Sequence, residues 1–197
     1  MLRYLKQPLG VKRKMLDKGL SVIKLDKNNI QRYLSDLLEL EHLVYLKRGH
    51  LYSTEEWGEI HFLSELPGKY DTSFGVVKED MDKLIAFSIS SEPLPGVIHV
   101  HRVAVHPKHP GENIGRKLML QLFQEWNNMP QYNTLTGIIR TDHKLSLPFV
   151  KKLGAQVADK SYMTHHFKQL GRTDMQIFDD HFKDSYGISY ALIHFDK

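Results

Sequence analysis

The segment from residue 97 to residue 127 constrains the fold of this chain more than any other. Residues 97–105 read as a valine-rich strand, and residues 114–127 carry an apolar stripe at helical spacing. Gly111 and Gly115 lie in the turn between them. Because the first turn of a helix has unpaired N–H groups and the positive end of the helix dipole, this turn can hold a phosphate. Two glycines before a helix are equally typical of an ordinary connecting turn.

One packed domain accounts for the composition. The chain has 197 residues, of which 41% are hydrophobic and 10% aromatic, enough for a single core. No apolar run approaches the length that crosses a bilayer, and the N-terminus lacks the apolar segment of a secretory signal. We therefore expect a cytoplasmic protein with no membrane partner. The absence of cysteine fits a reducing compartment and excludes disulfides, thiolate metal ligands and a cysteine nucleophile.

Positive charge is concentrated near the N-terminus. Residues 1–20 hold six basic residues and one acidic residue, within a total net charge of +4. Such an arm could contact nucleic acid, but Tyr4 is its one aromatic side chain. We therefore interpret residues 1–20 as a solvated basic arm and residues 21–197 as the folded domain, and we give nucleic acid little weight.

Hydrophobic periodicity predicts alternating strands and helices in the rest of the chain. Strands are predicted at residues 21–27, 72–78, 84–90, 97–105, 135–140 and 188–195. Helices are predicted after a cap at Asn28 or Asn29, from Ser53 to Pro67, at residues 114–127 and at residues 147–153. Residues 155–168 have a strand-like pattern, and residues 174–182 predict a short helix. This order predicts an α/β protein, a single domain with helices around a mixed sheet.

The strand and the turn resemble the coenzyme A motif of the GCN5-related N-acetyltransferase (GNAT) superfamily. There, apolar-x-Val-x-Pro leads to Arg/Gln-x-x-Gly-x-Gly/Ala and a helix; here residues 103–107 precede residues 110–115. Pro110 replaces the usual Arg or Gln, and Asn113 replaces the first Gly, although asparagine tolerates a positive φ. The resemblance implies acetyl-CoA as co-substrate. The residues it assigns to acetyl-CoA binding are Val103, Ala104, Val105, Gly111, Glu112, Asn113, Ile114, Gly115, Arg116 and, from the motif described next, His143.

A second motif of the same superfamily lies downstream. Residues 143–155 resemble its Asn-x-x-Ala-x-x-x-Tyr-Glu-Lys-x-Gly-Phe segment, with Lys152-Leu153-Gly154 matching, His143 at the usual Asn and Val150 at the usual Tyr. The two motifs stand in the family's order. The resemblance implies a partly parallel central sheet that splays between the strands ending near Val105 and near Arg140.

His99 and His101 form a pair that could handle a proton. Residues two apart on a strand share a face, and imidazole titrates near neutral pH. An isolated His-x-His is more often the polar face of a half-exposed strand. The surrounding residues 99–106, however, resemble the equivalent strand of arylalkylamine N-acetyltransferases, where a histidine pair serves the base. The resemblance implies that one of the two histidines deprotonates an amine. His101 is the preferred candidate, because it lies nearer the strand positions assigned to acetyl-CoA.

Val150 stands where many relatives carry the tyrosine that protonates the departing thiolate. Three explanations are open: a tyrosine from elsewhere, Tyr162 or Tyr186, reaches the site; solvent protonates the thiolate; or the protein binds without catalysing. We place Tyr162 in the catalytic set with the two histidines. The histidines at positions 99, 101, 106 and 109 could instead suggest zinc, but their spacing fits no common ligand pattern, and we assign no metal.

The sequence thus predicts an acetyl-CoA-dependent N-acyltransferase that moves acetyl directly to a primary amine. A CoA-binding or regulatory module without turnover is the alternative, motivated by Pro110, Asn113 and Val150. A nucleic-acid binder is the third hypothesis. The acceptor, a small-molecule amine or a protein amine, is open, as is the choice between monomer and homodimer.

Overall fold

The structure, a computed structural model, describes residues 13–17, 19–49, 55–109 and 113–197. Ten strands form one sheet. They are β1 Arg13–Asp17, β2 Leu20–Lys24, β3 Phe74–Lys78, β4 Lys83–Leu94, β5 Val97–Val105, β6 Thr134–Arg140, β7 Gln156–Val157, β8 Gln176–Ile177, β9 Phe182–Lys183 and β10 Ser189–Asp196. The helices are α1 Lys27–Arg32, α2 Leu34–Val44, α3 Glu59–Leu63, α4 Lys69–Thr72, α5 Ile114–Asn127, α6 Ser146–Lys152 and α7 Lys160–Gln169. A π-helical turn, Tyr45–Gly49, follows α2.

The strand order is β1-β2-β3-β4-β5-β6-β10-β9-β8, with β7 also paired to β10. All pairs are antiparallel except β5 with β6, which run parallel. The predicted single α/β domain with a mixed, partly parallel sheet is confirmed. The predicted bounds of β5 and α5 match the structure.

Helices cover both faces of the sheet. Helix α5 buries Ile114, Leu118, Leu122 and Trp126 in one cluster, together with Ile98 of β5 and Val150 of α6. Helices α1, α2 and α3 bury a second cluster on the opposite face. Helix α7 packs a third cluster against Leu192 of β10. None of the described helices is both long and apolar enough to cross a membrane.

Several predicted elements differ from the structure. Residues 155–168 are mainly helix α7, because Asp159 caps it by accepting a hydrogen bond from the Tyr162 N–H at 2.8 Å. Residues 174–182 hold the short strand β8 and the start of β9 instead of a helix. Asp26 caps α1 rather than Asn28 or Asn29.

The two N-terminal predictions also need correction. Strand β1 lies within the proposed basic arm and pairs with β2, so the sheet begins at Arg13. Helix α3 begins after Gly58, and the predicted cap Ser53-Thr54 lies outside the described residues.

Candidate active site

A β-bulge at His101 divides strand β5. Arg102 pairs with Ile89, whereas Val100 pairs with Ser90, so His101 is an extra residue without a partner of its own on β4. Regular alternation would keep residues 98, 100, 102 and 104 on one face. Instead Ile98 and Val100 pack in the cluster beneath α5, and Ala104 packs in the cluster beneath α2.

Beyond the bulge the sheet opens. Strands β5 and β6 pair only from Val97 with Thr134 to Val100 with Gly137. The rest of each strand, to Val105 and to Arg140, diverges around a cavity of about 690 Å³. The predicted splay between these two strands is confirmed. Helices α5 and α6 contribute Met119, Phe149 and Val150 to the cavity wall.

The open part of β5 presents backbone groups to this cavity. The His106 N–H donates to the Ile85 carbonyl at 2.8 Å, just beyond the strand. Because hydrogen-bonded and non-hydrogen-bonded residues alternate in an antiparallel ladder, Ala104 directs its backbone groups toward β4, and Val103 and Val105 direct theirs toward the cavity. Of the three predicted strand contacts, Val103 and Val105 are therefore suited to pair with an extended ligand, and Ala104 is not.

Helix α5 starts beside the cavity. Asn113 has φ +53° and ψ +23°, so an asparagine does adopt the left-handed conformation at the usual glycine position. A Cβ atom at Gly115 would meet only the Val105 Cγ2 atom, at 3.5 Å, an ordinary contact. The fold itself therefore does not require glycine there. The predicted contacts Gly111 and Glu112 lie outside the described residues.

The neighbouring predicted cofactor residues have different environments. Ile114 is buried in the core, so only its backbone can contribute to a ligand site, whereas Arg116 is exposed. His143 lines the cavity. Its Nδ1 accepts a hydrogen bond from the Ser146 N–H at 3.0 Å, and this contact caps the start of α6.

His99 lies in the paired part of β5. Its Nδ1 is 2.9 Å from the hydroxyl of Thr136 on β6, and its ring meets the His101 ring edge to face, with centroids 4.9 Å apart. Burial, with smaller contributions from His101 and His166, lowers the pKa of His99 to about 3. His99 is therefore neutral at physiological pH and is poorly suited to hold a proton as a general base.

His101 faces the opening. It is an exposed residue and lines the cavity, but its ring packs against His99, and its Nε2 lies 2.7 Å from the Ser91 hydroxyl. The packed side of the ring is shielded from water, and this desolvation, followed by the positive charge of Lys69, lowers the pKa of His101 below its usual value. A neutral imidazole at a cavity rim can accept a proton, and this favours His101 over His99 as the base.

The structure does not bring Tyr162 to the cavity. Its ring stacks on His194, with ring centroids 4.4 Å apart, and Tyr162 is not among the residues that line the cavity. Tyr186 is 87% exposed and is likewise outside the described lining. Sequence reasoning missed Tyr190, which does line the cavity. Burial and then Asp184 raise the pKa of Tyr190, so its hydroxyl stays protonated.

An ion pair that sequence reasoning also missed lies beside the bulge. Glu41 of α2 is fully buried, and its carboxylate accepts hydrogen bonds from the Arg102 guanidinium, with Nε to Oε2 at 3.1 Å and a second bond from Nη2 to Oε1. The Trp57 N–H also donates to Glu41, at 3.3 Å. The pair ties the open part of β5 to α2. No sequence signal links residues so far apart.

The described residues contain no group of three or more histidine, aspartate or glutamate side chains that could hold a metal ion. His106 and His109 do lie together, with ring centroids 5.7 Å apart.

Several solved structures with this fold are acetyltransferases. Solved structures with the same fold include the ribosomal-protein-S18-alanine N-acetyltransferase from Escherichia coli, which is 16% identical, covers 90% of this chain and 93% of its own, and has a TM-score of 0.62. The PaiA N-acetyltransferase from Thermoplasma acidophilum, solved in complex with coenzyme A, is 13% identical over 90% of this chain and 99% of its own, with a TM-score of 0.58. An acetyltransferase from Streptococcus agalactiae is 10% identical over 92% and 100%, with a TM-score of 0.61.

No curated protein sequence matches the chain significantly. Residues 34–155, well over half of the chain, match the sequence profile of the Acetyltransferase (GNAT) family. That span contains β5 with its bulge, the start of α5 and most of the cavity wall, and the chain accordingly belongs to the acetyltransferase (GNAT) family.

Proposed function

We propose that the protein transfers the acetyl group of acetyl-CoA directly to a primary amine, with His101 as the general base. One observation carries this proposal. The backbone of Val103 and Val105 faces a cavity that opens between β5 and β6, and the N-terminus of α5 lies at the same cavity. An extended pantetheine arm can pair with this strand edge while its pyrophosphate meets the helix start.

The wall of the cavity fits such a ligand. A pyrophosphate can approach the backbone near Gly115, where no side chain stands. Arg116 adds a positive charge in the first turn of α5, which contains no acidic residue. Gly111 and Glu112 would complete the turn, and a strand N–H of β5 would polarise the thioester carbonyl.

The transfer step is a direct attack. The amine nitrogen, as the free base, bonds to the thioester carbonyl carbon, and the C–S bond breaks. His101 accepts the proton that the amine gives up, and the CoA thiolate takes a proton from Tyr190 or from solvent. Tyr190 is our candidate for the missing acid, because its hydroxyl remains protonated at the cavity.

A CoA-binding module without turnover is the second candidate. Val150 supports it, because this residue lines the cavity and offers no hydroxyl. Both candidate functions require CoA binding, and they differ in whether the protein transfers the acetyl group.

Two measurements test the proposal. CoA should raise the melting temperature, because a ligand that binds only the folded state stabilises it by mass action. The gain in unfolding free energy is about 2.7 kcal/mol when the CoA concentration is about 100 times the Kd. A thiol-release assay with acetyl-CoA and a panel of small amines and peptide N-termini should show turnover. A melting curve unmoved by millimolar CoA would contradict both candidates, whereas a shift without thiol release on any amine would favour the binding module.

A further inference from the structure

We propose that Thr136 is a positioning residue that holds His99 in the tautomer with its hydrogen on Nδ1, which leaves Nε2 as the hydrogen-bond acceptor next to His101. The inference rests on the proposed function, since it concerns the surroundings of the same base. It assigns the two imidazoles different tasks, with His101 taking the proton and His99 orienting the group that gives it.

The hydroxyl of Thr136 decides the tautomer. Thr136 is fully buried, and its Oγ1 donates to the Ile98 carbonyl at 3.3 Å. A hydroxyl has one hydrogen, so toward His99 Nδ1, at 2.9 Å, the same oxygen acts as an acceptor. From this arrangement we infer that His99 Nδ1 carries the hydrogen, and a neutral imidazole with hydrogen on Nδ1 has its lone pair on Nε2.

The surroundings keep His99 neutral and in place. Burial lowers its pKa, and the charged or titratable groups around the pair are His101, His166 and, toward His101, Lys69. The parallel pairing of His99 with Thr136 holds the two side chains on the same face of neighbouring strands. The contact therefore lies in the paired part of β5 and β6.

The fixed tautomer has a consequence for an ammonium substrate. Such a substrate, or a water molecule that relays its proton, presents N–H or O–H donors and needs acceptors. With hydrogen on Nδ1, His99 offers an acceptor beside the base. In the opposite tautomer, Nε2 of His99 would carry the hydrogen, and its N–H donor would face the N–H or O–H donor of the substrate or water.

The test compares three variants on β6. Thr136→Val removes the hydroxyl while keeping the shape of the side chain, and Thr136→Ser restores the hydroxyl. Thr134→Val is the matched control, because Thr134 lies on the same strand and face but bonds Asp196, at 3.0 Å, away from the histidine pair. Nitrogen-15 NMR of the histidine rings reports the tautomer of His99, and thiol release reports kcat and KM.

We expect the wild type, Thr136→Ser and Thr134→Val to show the pyrrole-type nitrogen signal at Nδ1 of His99. In Thr136→Val we expect a shift toward hydrogen on Nε2. This variant should lose about tenfold in kcat, a part of what a general base contributes, with KM for acetyl-CoA unchanged.

Hydrogen on Nε2 of His99 in the wild type, or an unchanged tautomer in a folded Thr136→Val protein, would overturn the proposal. So would a wild-type kcat in that variant together with the altered tautomer. The NMR measurement does not depend on turnover. A protein without any thiol release would therefore contradict the proposed function while the tautomer assignment is still tested.

Discussion

The two halves of strand β5 each carry one histidine and differ in their surroundings. The closed half, Val97–Val100, pairs with β4 on one side and with β6 on the other, whereas the open half, His101–Val105, pairs only with β4, and only from Arg102 onward. His99 in the closed half is half-buried and outside the cavity lining, and its pKa is lowered to about 3; His101, the first residue of the open half, reaches the cavity. One inserted residue thus separates a structural segment from a ligand-accessible one.

The largest effect is expected where the open half meets α5. Gly115→Asp should abolish the CoA-induced rise in melting temperature, because a carboxylate at the helix start opposes the pyrophosphate by charge and by bulk. Gly115→Ala is the matched control for folding. Its Cβ would make only an ordinary contact with Val105, and alanine favours a helix by about 1 kcal/mol over glycine. Unchanged CoA affinity in a folded Gly115→Asp protein would place the cofactor elsewhere.

The next effect separates His101 from His99. His101→Ala should lower kcat at neutral pH by roughly 10²-fold with little change in CoA affinity, and His99→Ala should lower it less. The deficit should shrink as pH rises, because more of the amine is then already neutral. Since the base acts when unprotonated and the pKa of His101 is lowered, kcat/KM of the wild type should rise with pH below the usual histidine pKa of 6.5. Equal, pH-independent losses in both variants would mean that the two halves of β5 do not differ in function.

A third prediction concerns what holds the open half in place. Arg102→Leu leaves the fully buried Glu41 carboxylate without its cation and should cost about 3 kcal/mol of unfolding free energy. Glu41→Gln should cost less, because the Arg102 side chain is 17% exposed and can reach water. Denaturant titration measures both. A larger loss of unfolding free energy in Glu41→Gln would show that an unpaired Arg102 destabilises the fold more than an unpaired Glu41 carboxylate.

The smallest effect is expected at Tyr162, beside the closed half of β5. Tyr162→Phe should leave turnover unchanged, because its ring stacks on His194 and does not line the cavity. Tyr190→Phe should lower kcat severalfold if this hydroxyl protonates the thiolate. A selective loss in Tyr162→Phe, measured as thiol release with melting temperature as the folding control, would reverse this assignment.

The reliability of sequence reasoning varied along the chain for local reasons. Strand β5 and helix α5 were predicted to the residue, because a valine-rich run, a left-handed asparagine turn and an amphipathic stripe are all local signals. Helix α7 was wrongly predicted as a strand, although Asp159 as a cap and the i, i+4 pair Met163 and Phe167 were present in the sequence. The short strands β8 and β9 exist because β9 pairs with β10, and no local pattern encodes that partner.

The sequence by itself determined the α/β class, the strand–turn–helix at residues 97–127, the histidine pair and the family's coenzyme A motif. Only the tertiary structure decided which backbone groups of β5 are open, which histidine is held neutral by its surroundings, and which tyrosine lines the cavity. The physical reason is that these properties depend on pairing across the sheet. The bulge at His101 is a shift in the pairing register between β5 and β4. The hydrogen-bond partner of His99 belongs to β6, and the carboxylate that binds Arg102 comes from α2.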